Sequence, residues 1–276
     1  MPAGSRGDGN NGNGSPVKYP VVVFVHGESY EWNSGNPYDG SVLASYGQVL
    51  VVTINYRLGI LANYGLMDIL AALHWIQENI EAFGGDSKSV TLAGHGTGAA
   101  CVHFLIASQA VPDGFLFHRA ILMSGSGLAP WSLVGDPAHY AAIVAHHVNC
   151  SVELPHQALM KCLREVPLRT ILSTPIRTPE FGNAFGPSVD GVVIDTGDHS
   201  SQQDQYDFGS LSGSDTKRQM HYQNNLNVIN SVLLRKLAIN KLSRYDLLVG
   251  VTRAESYFVF NSGDVQYGIE ELFREC

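Results

Sequence analysis

At 276 residues, 45% of them hydrophobic and 15% charged, the chain can bury a sizeable core as one large domain or two small ones. Its net charge of −8, from 17 Lys and Arg against 25 Asp and Glu, comes with no Lys/Arg cluster and argues against a basic nucleic-acid-binding face. No apolar run reaches the ~18 residues of a membrane span, and the N-terminus does not read as a secretory signal.

Residues 1–18 run from Met1-Pro2-Ala3-Gly4-Ser5 into an Asn/Gly tract, which predicts a disordered tail in which Arg6-Gly7-Asp8 is a chance tripeptide. Pro20-Val21-Val22-Val23-Phe24-Val25 is continuously apolar and β-branched, as a strand buried on both faces is. A polar loop through Tyr38-Asp39-Gly40 precedes a second strand, Gln48 to Tyr56. Gly65-Leu66-Met67-Asp68 opens a helix reaching Ala82-Phe83. Leu70, Leu73, Trp75, Ile76 and Ile80 have helical spacing, and Gly84-Gly85 is the stop. A short strand Ser89–Ala93, a helix over Ala99–Ile106 and a strand Arg119–Met123 follow. This alternation predicts an α/β fold with a mostly parallel sheet flanked by helices. Helices near 136–148 and 154–165 break it, as a cap or side layer does. Residues 196–224, rich in Asp, Ser, Gln and Gly, predict a flexible loop. A helix near 226–240, a strand Tyr245–Gly250 and a helical piece around Ile269–Arg274 complete the chain.

The informative turn is Gly94-His95-Gly96-Thr97-Gly98, between the strand at 89–93 and the helix that follows. Strand, glycine-framed turn and helix make the nucleophile elbow of α/β-hydrolases, G-x-S-x-G, here with Gly96 at the serine position. The elbow's strained backbone costs a non-glycine residue about 1–3 kcal/mol, and glycine adopts it with little steric cost. Gly96 keeps the turn and deletes the Oγ. Thr97 stands one residue further, where its side chain should point elsewhere. An unrelated glycine-rich turn is the competing reading. Ser29, Ser124 and Ser126 are the tempting serines, but Met123-Ser124-Gly125-Ser126-Gly127 lacks the elbow frame and reads as a turn.

Cys101 falls in the apolar helix after the elbow and reads as a small buried hydrophobe. Cys150 and Cys162 flank Ser151-Val152-Glu153-Leu154-Pro155, a turn between two helices. A bridge between them would close a loop worth about 3 kcal/mol and would need an oxidising compartment. Asn149-Cys150-Ser151 is a glycosylation sequon with the same requirement. His139, His146 and His147 have no carboxylate at ligand spacing, so neither a metal nor a cofactor is expected.

Val25-His26-Gly27, Asn55-Tyr56-Arg57-Leu58-Gly59, Asn63-Tyr64-Gly65-Leu66-Met67-Asp68 and Ala82-Phe83-Gly84-Gly85-Asp86, in this order, resemble the type-B carboxylesterase and cholinesterase family. Gly40-Ser41-Val42-Leu43-Ala44-Ser45-Tyr46-Gly47 and the serine-less elbow are most similar to its invertebrate neuroligins, over residues 19–265. The resemblance implies an α/β-hydrolase fold over 19–276 as a partial carboxylesterase-like domain, incomplete at both ends. It also lacks a loop between Ile60-Leu61 and Ala62-Asn63 that relatives carry, and an apolar sheet edge is expected to be exposed.

The resemblance further implies an oxyanion motif at His26-Gly27-Glu28-Ser29, with Glu28 replacing a glycine, and a triad acid at Glu255. The family's triad histidine falls past the last residue. With Gly96, the positions His26, Gly27 and Glu255 are therefore vestigial, and Glu255 reads as a locally hydrogen-bonded glutamate. The role implied is extracellular synaptic adhesion at the plasma membrane, through a neurexin-like cell-surface partner that carries the calcium, without a small-molecule substrate. Tyr245 and Asp246 match the partner-contacting loop, whereas Ser243 and Arg244 depart from it. The alternatives are a fragment that is nonfunctional or a decoy and, behind both, a carboxylic-ester hydrolase. Oligomeric state does not carry over.

Overall fold

The computed structural model describes residues 2, 10–11, 15–16, 18–179, 182–195, 241–253 and 255. The loop expected over 196–224 and the helices expected near 226–240 and 269–274 lie outside these residues, as does most of the expected tail. Within that tail two-residue strands, β1 (Asn10–Asn11) and β2 (Ser15–Pro16), pair antiparallel.

Five parallel strands form the main sheet: β3 (Tyr19–Val25), β4 (Leu50–Thr53), β5 (Gly85–His95), β6 (Arg119–Met123) and β7 (Asp246–Gly250), in the order β4-β3-β5-β6-β7. Helices α1 (Ser41–Gly47), α2 (Ala62–Asn79), α3 (Thr97–Ala107), α4 (Pro137–His147), α5 (His156–Glu165) and α6 (Leu168–Leu172) accompany it. From β3 the chain moves outward to β4, returns through α2 to β5 on the other side, and continues to β6 and β7. The direction of travel thus reverses between β3 and β5. In an open parallel sheet, that reversal leaves a crevice at the carboxyl ends of the two strands.

Strand periodicity divides β3 more sharply than its composition suggests. Val21, Val23 and Val25 are fully buried, whereas Val22 and Phe24 on the opposite face are only partly covered. The strand is therefore not buried equally on both faces. The second strand also ends earlier than expected, at Thr53, because Ile54 to Leu58 run on without strand pairing. Arg57 there makes a bidentate ion pair with Asp68, its Nη2 2.7 Å from Oδ1, and lies over the Tyr64 ring. This ties the end of β4 to the start of α2.

Helix α2 buries Leu66, Ile69, Leu70, Leu73 and Ile76. It passes into a single turn of 3-10 helix that stops at Gly84, whose φ of 81° is a left-handed conformation favouring glycine. Helix α3 is buried from Thr97 to Ile106, because it packs directly beneath the central strand. A smaller cluster joins α4 to α5 through Ala145, Cys150 and Leu159, and a disulfide connects Cys150 to Cys162. Cys101 is a buried free cysteine whose thiol pKa is pushed up to about 12 by burial. Among the described residues no helix is long and apolar enough to cross a membrane.

Candidate functional site

The carboxyl end of β5 meets the start of α3 at the reversal point. Gly96 makes the turn with φ 55° and ψ −120°, a backbone conformation that residues with a Cβ rarely adopt. Its N–H donates to the Met123 carbonyl (2.9 Å) and its carbonyl accepts from Ala100 N–H (3.2 Å), so the turn is held by β6 and by α3. A Cβ built on Gly96 meets no atom within 4 Å and would project into open space. The flanking glycines are in the opposite situation. A Cβ on Gly94 would lie 2.5 Å from Gly98, and one on Gly98 would lie 2.3 Å from the Val25 carbonyl oxygen. These two glycines let strand and helix touch; the central one aims at a cavity.

That cavity is a cleft of about 780 Å3 lined by, among others, Glu28, His95, Thr97, Ser124, Trp131 and Glu255. One wall is the loop after β3. Gly27 is packed so that a Cβ would sit 2.1 Å from the His95 carbonyl oxygen. Glu28, Ser29 and Tyr30 then have φ of 120°, 54° and 58° in succession, a run of backbone conformations that suits glycine. The loop is held by Glu28 N–H donating to Thr97 Oγ1 (3.0 Å), by Tyr30 OH donating to the Ser132 carbonyl (3.0 Å) and by Asn33 Nδ2 donating to the Gly27 carbonyl (2.7 Å). His26 beneath it is buried and stacked on Tyr56, whose hydroxyl donates to the His26 carbonyl (2.5 Å).

Glu255 faces Gly96 from the other wall. Its Oε1 accepts from the Thr252 backbone N–H, from Thr252 Oγ1 (2.9 Å) and from Ser124 Oγ (2.9 Å). These donors, the Thr252 N–H first, hold its carboxyl below the ordinary glutamate range, with His95 adding a smaller electrostatic contribution. The structure thus gathers Gly96, Glu28 and Glu255 at one cleft, with Gly27 packed against His95 and Gly98 beside it. His26 lies just beneath its loop, pointing into the core. Sequence reading did not find Ser124 as the partner of Glu255 or Thr97 as the acceptor for Glu28 N–H. No local pattern signals bonds between residues 131 and 69 positions apart.

The residues expected at a partner surface separate. Tyr245 is 6% exposed and stacked on Phe117 at 4.9 Å, so its ring belongs to the core and is not presented to a partner. Asp246 beside it is exposed, with its carboxylate 3.5 Å from Arg119 Nε. Arg244 pairs with Asp113, which Lys241 also approaches. Asn149 is exposed at the end of α4 in a left-handed conformation, next to the disulfide. Among the described residues no group of three or more His, Cys, Asp or Glu side chains is placed to hold a metal ion.

The family model "Carboxylesterase family" matches residues 10–274, nearly the whole chain. The chain belongs to the carboxylesterase family. Its relatives include Neuroligin-2 of Homo sapiens, 43% identical over 190 residues, or 65% of this chain and 22% of that protein. Neuroligin-3 of Mus musculus is 43% identical over 186 residues, 63% of this chain and 22% of that protein. Neuroligin-1 of Caenorhabditis elegans is 32% identical over 277 aligned positions, 92% of this chain and 31% of that protein. The chain thus spans between a fifth and a third of the length of these relatives. The parallel sheet, the elbow at the end of its central strand and the covering helices are those of an α/β-hydrolase, and within the carboxylesterase family the chain is of neuroligin type.

Proposed function

We propose that this carboxylesterase-family chain is part of a neuroligin-like cell-adhesion protein, which binds a neurexin-type cell-surface partner and does not hydrolyse esters. The observation that carries the reading is Gly96. It stands at the central elbow position with its Cβ direction open to the cleft, and it offers no nucleophile there. Glu255, the family-like acid, is already engaged by Ser124 and Thr252. An acyl-transfer site needs a nucleophile, a base and oxyanion donors together, and the elbow position of this cleft carries no side chain to serve as the first of them.

The neuroligin relatives point toward a surface role on the extracellular side of a membrane. The exposed sequon at Asn149 and the Cys150–Cys162 disulfide suit that compartment. The contact surface is proposed at the amino end of β7, where Asp246 presents its carboxylate beside Arg119. Arg244 nearby is paired with Asp113, a carboxylate it shares with Lys241. Calcium belongs to the partner's side of the interface.

The test is a titration of the chain displayed on cells with a neurexin ectodomain, in calcium and in chelator. Saturable, calcium-dependent binding is expected, weakened about tenfold or more by Asp246→Ala. Absence of binding by the folded chain, or binding indifferent to calcium, would contradict the proposal.

A further inference from the structure

The hydrogen bond between Glu28 and Thr97 has a meaning that goes beyond loop packing. In an α/β-hydrolase elbow the oxyanion hole is made by the backbone N–H of the residue after the nucleophile position and by an N–H from the loop after a strand earlier in the chain; here that strand is β3, which lies beside β5 in the sheet. In this chain the first is the N–H of Thr97. The loop that supplies the second runs from His26 to Tyr30, and its Glu28 N–H is turned toward α3. That donor is not free. It points at Thr97 Oγ1 at 3.0 Å, within the 2.7–3.1 Å at which such donors hold an oxyanion.

We infer that Thr97 is an internal ligand of the oxyanion site: its hydroxyl oxygen takes the place on the Glu28 N–H that a substrate's oxyanion would occupy. The inference deepens the non-catalytic reading, because it closes the site by a contact independent of Gly96. Three observations support it. Thr97 is only 7% exposed, so little of the residue that carries the acceptor faces water. Thr97 is the first residue of α3 and is pinned by a helix buried along its length. Glu28 has a φ of 120°, a conformation that a residue with a Cβ holds only when its surroundings impose it, and the bond to Thr97 is one of the restraints.

The contact also gives position 97 a specific chemical requirement. Serine keeps the hydroxyl acceptor. Valine keeps the shape and removes the acceptor, leaving the Glu28 N–H without its protein partner. Alanine removes both.

Residue-resolved amide hydrogen exchange of the full chain tests the inference and reads the hydrogen bond whether or not an ester is turned over. The wild-type chain and Thr97→Ser are expected to protect the Glu28 amide. Thr97→Val is expected to raise its exchange about five- to tenfold, the size of one net hydrogen bond, with Val22 and Leu92 in the sheet unchanged. If Thr97→Val does not fold, Thr97→Ala supplies the same comparison. A Glu28 amide that is unprotected in the wild type, or equally protected in Thr97→Val or Thr97→Ala, would overturn it. Ester turnover by the wild-type chain would overturn the non-catalytic reading alone.

Discussion

Gly98→Ala is expected to lower the urea midpoint of unfolding far more than Gly96→Ala, two positions away in the same turn. The added Cβ would lie 2.3 Å from the Val25 carbonyl oxygen, 2.5 Å from the His26 carbonyl oxygen and 2.8 Å from the His26 carbonyl carbon. All three are backbone atoms, so no side chain can rotate away, and β3 or α3 must move. Overpacking a close-packed interior costs about 1–3 kcal/mol, and a clash with strand backbone belongs at or above the upper end. Alanine's better helix propensity returns at most about 1 kcal/mol. Net destabilisation of about 2–3 kcal/mol is therefore expected. Gly96→Ala provides the contrast. It meets no atom within 4 Å, so its cost is confined to the φ of 55°. A Gly98→Ala midpoint equal to wild type would mean that β3 and α3 are not in the contact described.

Acidification is expected to destabilise the fold before its carboxylates titrate, through two buried histidines. His26 is 1% exposed, and neither ring nitrogen has hydrogen-bonding geometry to a described residue. His103 is 5% exposed. Its Nδ1 accepts from Gly127 N–H (3.2 Å) and meets Ser126 Oγ (3.1 Å), while Nε2 has no partner among the described residues. Burial lowers both pKa values, offset only in part at His26 by the adjacent Gly27 backbone.

The sign follows from proton counting. Below about pH 6.5 the unfolded chain takes up protons that the folded chain refuses, so stability is full above that pH and falls as pH drops toward the folded values. Each histidine contributes at most about 1.4 kcal/mol per pH unit in that window. Glu255 and Asp68, whose pKa values are also lowered, by hydrogen bonds from Thr252 and from Arg57, act in the same direction only at lower pH, near and below the ordinary carboxylate range. Urea midpoints between pH 7.5 and 5 measure the histidine effect, and His26→Gln should flatten the slope by about half. A slope unchanged by His26→Gln would exclude that residue as a cause.

Features governed by local chemistry were legible from the chain. The glycine frame at 94–98 marks the elbow because only glycine allows both close strand–helix contact and the left-handed turn. Alternating apolar strands and helices announced the parallel sheet, and Gly84-Gly85 marked the end of the 3-10 turn that continues α2. What was hidden depends on pairing between distant positions. Tyr245 looks like a surface aromatic until Phe117 is placed beside it. Thr97 is read from the chain only as a residue one step past the elbow centre, and its acceptor role depends on how the loop after β3 turns at Glu28. Ser124 looked like a turn residue, and its bond to Glu255 exists only because the chain after β7 returns to the elbow, where Ser124 N–H donates to the Gly250 carbonyl at 2.8 Å. The two faces of β3 differ because its sheet is covered unequally, which an unbroken apolar run does not reveal.

The most direct test of the non-catalytic reading is steady-state hydrolysis of p-nitrophenyl acetate by the wild-type chain and by Gly96→Ser. The serine would project into the cleft, but it would find Glu28 N–H engaged by Thr97 and Glu255 bound to Ser124 and Thr252. Neither protein is expected to exceed the rate in buffer. Saturable turnover by either one, abolished by denaturation, would contradict the reading of this cleft as a hydrolase site without hydrolysis.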